Sequence, residues 1–153
     1  MKSGCSIPQA VAAVAGGDVD AAWFWDPNLT QAIEKEGKRL LLCFDKKTGK
    51  QLWGAGTIYK EPELTHGTNP YCAASPATDG ERVYVYFGSV GLLAYDFAGK
   101  EVWRKTLPPP VVEFGASSSP VVAGEVVVQV CDADIESYLL AVDRKTEIGR
   151  AHV

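Results

Sequence analysis

No apolar run in this 153-residue chain reaches the roughly 20 residues that a membrane-spanning helix requires. The first twenty residues also lack the apolar core of a secretion signal. Ser3-Gly4-Cys5 has the form of a lipoprotein signal's end, but nothing hydrophobic precedes it, so lipidation at Cys5 is not expected. A basic cluster is missing too. Net charge is −4, and the cations are scattered, many on turn segments such as Lys46, Lys47, Lys50 and Lys100. That pattern excludes the electrostatic footprint of a nucleic-acid binder. The four cysteines, Cys5, Cys43, Cys72 and Cys131, show no CxxC spacing, which argues against a zinc site. Cys43 sits in an apolar stretch and reads as a small core residue. A Cys72–Cys131 disulfide stays open at this level.

What the chain does have is a phrase stated twice and begun a third time. Leu40-Leu41-Leu42-Cys43-Phe44-Asp45-Lys46-Lys47-Thr48-Gly49-Lys50-Gln51-Leu52-Trp53 returns as Gly91-Leu92-Leu93-Ala94-Tyr95-Asp96-Phe97-Ala98-Gly99-Lys100-Glu101-Val102-Trp103. It returns again as Tyr138-Leu139-Leu140-Ala141-Val142-Asp143-Arg144-Lys145-Thr146. The Asp residues stand 51 and then 47 positions apart, and the two Trp 50 apart. A period of that length implies stacked supersecondary units such as propeller blades.

Each copy reads as two strands around a tight turn. Gly49 and Gly99 suit a left-handed turn position. Asp45, Asp96 and Asp143 suit acceptance of hydrogen bonds from turn amides. Trp53 and Trp103 are placed to bury their rings between neighbouring units. A second phrase lies upstream: Ser75-Pro76-Ala77-Thr78-Asp79-Gly80-Glu81-Arg82-Val83 matches Ser119-Pro120-Val121-Val122-Ala123-Gly124-Glu125-Val126-Val127, with the two Ser 44 apart. Ser-Pro opens a strand whose first amide need not pair. The two phrases give four strands per period: one near Ser75, then Val83–Phe87, Gly91–Tyr95 and Val102–Lys105. Four strands in a repeat of this size describe a propeller blade.

These phrases resemble the PQQ-like, or quinoprotein-type, β-propeller repeat, which occurs in quinone-dependent alcohol dehydrogenases and in outer-membrane-assembly lipoproteins of the BamB type. The run Thr65-His66-Gly67-Thr68-Asn69-Pro70-Tyr71 and the stretch Tyr86–Leu92 add to the likeness, which covers about residues 38–146. The fold class expected is all-β, with four-stranded antiparallel blades forming part of a propeller. The division expected is an unassigned segment 1–20, a partial blade 21–60, a complete blade 71–107 and a truncated blade 115–146. In the first of these, Ala21–Trp25 is expected to pair with Leu40–Phe44, and Gln31–Glu36 to form one or two helical turns. Residues 147–153 break the third copy where Gly-Lys is due. They back-translate to GAG-ATC-GGA-AGA-GCA-CAC-GTC, which from its second base matches the start of a sequencing-library adapter. They are set aside as adapter read-through, the gene is expected to continue past Thr146, and His152 carries no functional weight.

Candidate chemistry is sparse. Quinone-dependent dehydrogenases of the family bind PQQ and calcium in a central funnel and commonly carry adjacent cysteines over the quinone. This chain has no Cys-Cys pair, and its repeat Asp residues fall at turns. Asp132, Asp134 and Glu136 alternate along Cys131–Ser137 and are weakly like a calcium loop, without the Gly that tightens one. A solvated hairpin tip is the preferred reading. His66 lies in a polar inter-blade loop and reads as loop-ordering. Ser89 sits in Phe87–Gly91, which is not the Gly-x-Ser-x-Gly of a nucleophile elbow. Asn28-Leu29-Thr30 carries weight only in a eukaryotic secreted protein. Leu107–Val112, with Pro108–Pro110, reads as a stiff, extended connector. No catalytic residue and no cofactor are expected.

The resemblance implies a non-catalytic interaction scaffold of the bacterial envelope, periplasmic, envelope-associated or secreted, with protein partners. The alternative is part of a PQQ-dependent alcohol or sugar dehydrogenase. Three blades alone leave apolar faces and strand edges open to water, so self-association through those edges is expected.

Overall fold

The computed structural model describes residues 10–12, 23–24, 38–45, 47–58, 64, 66, 74–88 and 90–152. Among these residues all regular structure is β-strand. Twelve strands form three four-stranded sheets. The middle sheet holds β5 (Ala77–Thr78), β6 (Arg82–Phe87), β7 (Gly91–Asp96) and β8 (Glu101–Lys105), in chain order and all antiparallel. The third repeats the plan with β9 (Val121–Ala123), β10 (Val126–Cys131), β11 (Tyr138–Asp143) and β12 (Gly149–His152).

The first sheet departs from the expected plan. It holds β1 (Ala10–Ala12), β2 (Trp23–Phe24), β3 (Lys38–Phe44) and β4 (Gln51–Ile58), in the order β2-β1-β3-β4. Trp23–Phe24 pairs with Ala10–Ala12 and not with Leu40–Phe44, and β1 lies parallel to β3. A parallel pair needs a long crossover, and the stretch between Ala12 and Lys38 supplies one. The sheet therefore draws one strand, β1, from the segment left unassigned above. The expected helical turns at Gln31–Glu36 fall outside the described residues.

The tail set aside above also takes a place in the sheet. Gly149–His152 pairs antiparallel with β11, so the third sheet has four strands where a truncated unit was expected. Backbone hydrogen bonding needs no particular side chains, which is why the broken repeat phrase did not announce this strand.

The period-2 alternation of the middle strands feeds two cores. Val83, Val85 and Phe87 of β6, with Leu93 and Tyr95 of β7, pack with Leu41, Trp53 and Ala55 of the first sheet. Tyr84, Tyr86, Leu92 and Ala94 turn to the other face and pack with Val127, Cys131, Leu140 and Val142 of the third. Both faces of the middle sheet are thus buried, and its strands read as near-continuous apolar runs. At roughly 1.5–3 kcal/mol per large buried side chain, these two seams dominate the stability of the array.

Candidate functional site

The repeat residues form one device used at successive seams. In the first turn, Asp45 Oδ1 accepts from the amides of Lys47 (3.1 Å) and Thr48 (2.7 Å) and from Thr48 Oγ1 (2.7 Å). Asp96 Oδ1 accepts from the amides of Ala98 and Lys100, each at 2.9 Å. Asp143 Oδ1 accepts from Lys145 N (2.9 Å), Thr146 N (3.0 Å) and Thr146 Oγ1 (3.1 Å). Hydrogen bonds, from Thr48 first, hold the Asp45 carboxyl below its ordinary range. All three carboxylates are therefore turn acceptors.

Each Trp crosses a seam. Trp53 Nε1 donates to the carbonyl of Phe97 at 2.9 Å, and Trp103 Nε1 donates to that of Arg144 at 2.9 Å. In each case the acceptor is the residue just after the next unit's Asp. The residue opposite each Trp in register is small: Cys43 faces Trp53 and Ala94 faces Trp103. This leaves room on the shared face for an indole. A bulge follows that small residue in all three sheets, at Cys43/Phe44, Ala94/Tyr95 and Ala141/Val142. Such a bulge bends the outer strand and re-aims it. Gly99 lies beneath the preceding unit's indole: a Cβ there would come within 2.7 Å of Trp53.

A polar cluster missed by the motif reading joins the second and third units. Arg144 Nη1 sits 3.1 Å from Asp79 Oδ2, and Nη2 sits 3.3 Å from Glu125 Oε1. Tyr84 Oη donates to Asp79 Oδ2 at 2.7 Å, and the amides of Glu81 and Arg82 donate to Asp79 Oδ1 at 2.9 and 2.8 Å. The Asp79 side chain is 2 % exposed. Burial opposes its ionisation, but the Tyr84 hydroxyl, the two amides and the Arg144 charge outweigh it and hold the carboxyl below its ordinary range. Burial, then Asp79, pushes Tyr84 up to about 12, so its hydroxyl stays a donor at neutral pH. The Ser-Pro phrases also meet: Ser75 N donates to Ser119 Oγ at 2.9 Å. Gln129, fully buried where the preceding unit has Val85, donates from Nε2 to Ser118 Oγ and Val130 O, each at 2.7 Å.

Asp132, Asp134 and Glu136 are not gathered. Asp132 Oδ1 accepts from Ser137 Oγ at 2.7 Å, while Asp134 Oδ2 accepts from the amide of Glu113 at 3.1 Å in the connector. Among the described residues no group of three His, Cys, Asp or Glu side chains is arranged to hold a metal ion. His66 lies against Phe114, ring centroids 5.6 Å apart, which suits loop ordering. Cys43 is buried in β3, and burial raises its thiol pKa. Cys131 is a buried free thiol, while Cys72, its suggested partner, lies outside the described residues. Burial raises the Cys131 thiol, against hydrogen bonds with Tyr138 and Tyr86. Cys5, Asn28, Cys72 and Ser89 lie outside the described residues. Among the described residues no helix is long and apolar enough to cross a membrane.

Stacked four-stranded sheets, joined by an Asp turn and a seam-crossing Trp, define a β-propeller of PQQ-like repeats. The family model described as outer membrane protein assembly factor BamB matches residues 37–148, and the chain belongs to that family. The crystal structure of BamB from Moraxella catarrhalis matches with a TM-score of 0.56 at 13 % identity, over 96 % of this chain and 40 % of that one. The chain thus spans less than half the length of that structure, and the likeness concerns the fold. No curated protein matches the chain.

Proposed function

We propose that the chain is a non-catalytic protein-interaction propeller segment of the bacterial envelope. The observation that carries this reading is the fate of the repeat carboxylates. Asp45, Asp96 and Asp143 each accept from their own turn, so the carboxylates of the repeat are engaged in ordering the hairpins. Membership of a family described as an outer-membrane assembly factor supports the compartment and the protein partners. Fold alone supplies neither, so the test must address binding directly. A photo-crosslinker placed at Ile135, on an exposed loop, should give discrete protein adducts in envelope fractions. The same group at Leu41, in the seam, should give none. Titration with PQQ in calcium-containing buffer should leave tryptophan fluorescence unchanged; saturable quenching would overturn the reading in favour of a quinone-dependent dehydrogenase.

A further inference from the structure

Between Lys105 and Arg144 the chain carries no Lys or Arg, yet it carries six carboxylates. Four of them, Glu113, Asp132, Asp134 and Glu136, fall on two loops that the fold ties together. Asp134 N donates to Val111 O at 2.9 Å, and Glu113 N returns a bond to Asp134 Oδ2 at 3.1 Å. The second loop is pinned internally by Ser137, whose Oγ donates to Asp132 Oδ1 and accepts from Ala133 N at 3.1 Å. The first loop follows Pro108–Pro110, a stretch with little freedom to lose.

Large apolar side chains stand outward on this ordered support. Ile135 is 86 % exposed and Phe114 57 %. Val111 is also exposed, and His66 lies against Phe114. An apolar patch on pre-ordered loops, rimmed by charge of one sign, has the anatomy of a binding surface. Little ordering cost would remain for the partner to overcome.

We propose that this loop pair docks a cationic, apolar segment of another protein, an extended stretch alternating Lys or Arg with aliphatic or aromatic residues. Charge selects that occupant. Nucleic acid and anionic lipid surfaces are repelled by four carboxylates with no cation on either loop. A second copy would bring the same acidic loops against them. The apolar side chains supply the contact area and the carboxylates set orientation and partner choice. The proposal rests on the interaction reading above and names the partner's chemistry.

Fluorescence anisotropy with a labelled twelve-residue Lys/Leu peptide tests it on the 153-residue chain. The peptide should bind, and a Glu/Leu counterpart should not. Glu113→Lys combined with Glu136→Lys should weaken binding about tenfold, and raising the salt should weaken the unaltered chain in the same direction. Ile135→Ser should also weaken it, with the circular dichroism unchanged because the side chain is exposed. Leu139→Lys, on the open face of the third sheet, should leave it intact. Equal binding of both peptides, unaltered binding by the loop variants, or loss confined to Leu139→Lys would each overturn the assignment. Failure here alongside specific crosslinks at Ile135 sinks the charge assignment alone; saturable PQQ binding sinks the scaffold reading itself.

Discussion

Glu147 occupies the position that Gly49 holds in the first turn, four residues after the Asp. Its φ is 63°, against 68° for Gly49. The backbone bonds correspond: Gly49 N donates to Asp45 O at 2.8 Å and Glu147 N to Asp143 O at 3.0 Å. The turn geometry is thus retained by a residue that is strained in it, at about 1–2 kcal/mol for a left-handed L-residue. Glu147→Gly should raise stability by about 0.5–1 kcal/mol, since glycine's greater unfolded-state freedom takes back part of the gain. Urea denaturation would register it as a higher midpoint at unchanged slope; a lower midpoint would mean the Glu side chain compensates for its backbone. Gly91 gives the opposite case. Its φ is 110°, and a Cβ would lie 2.1 Å from the carbonyl oxygen of Lys105. The obstacle is backbone, so the paired strands must separate to admit it. Gly91→Ala should cost about 2–4 kcal/mol, read from the same denaturation curves.

Among the elements, the seam between the second and third sheets depends on a contact between a turn and a distant arginine. Asp79 and Arg144 are 65 positions apart and meet at 3.1 Å. The Asp79 carboxyl is held below its ordinary value of 3.8, so its ionised form is the one the fold favours. Its contribution is therefore fully present above that value and is lost as pH falls through the lowered folded value. Denaturation midpoints measured from pH 6 downward should fall more steeply below about pH 4 in the unaltered chain than in Asp79→Asn. At neutral pH the variant should be weaker by about 1–3 kcal/mol, because Tyr84 and Arg144 lose a buried charged acceptor. Parallel pH profiles would remove Asp79 from this role. The strands of the middle sheet, on one side of that seam, were legible in the sequence. The readings Val83–Phe87, Gly91–Tyr95 and Val102–Lys105 sit within a residue of β6, β7 and β8. The turn Asp residues and the seam Trp residues were legible for the same reason: they recur in register. The Arg144 bridge was not, because Asp79-Gly80 looks like any polar turn and the partner is set by tertiary placement. The parallel β1 and the strand Gly149–His152 were hidden too, since both join through backbone groups that leave no motif. The tie between Asp134 and Glu113 was hidden in another way: a carboxylate that suggests a metal loop by spacing is instead an acceptor for a neighbouring connector.

For the whole molecule, the decisive comparison is between the same face in two consecutive units. In the middle sheet Tyr84, Tyr86, Leu92 and Ala94 are buried against the third sheet. Their repeat counterparts in the third are Val128, Val130, Leu139 and Ala141. There Val130 is 45 % exposed and Leu139 39 %, and Val121 beside them on β9 is exposed as well. Cross-strand pairing puts these residues on one face: Val128 opposes both Val121 and Ala141, and Val130 opposes Leu139. That face is built to accept another unit's packing surface, and in the 153-residue chain it meets water. Burying it is favourable at roughly 25 cal/mol per Å² of apolar area, whichever chain supplies the cover. The 153-residue chain should therefore self-associate, with a weight-average mass by light scattering that rises with concentration. Val130→Lys with Leu139→Lys should return it towards the monomer mass, because a charged pair on the joining face must be desolvated to associate. The far-UV spectrum should stay unchanged, since both side chains are already partly in water. A chain that scatters as a monomer at every concentration would show that this face lacks the area or the shape to hold a partner, and that the open sheet is stable uncovered.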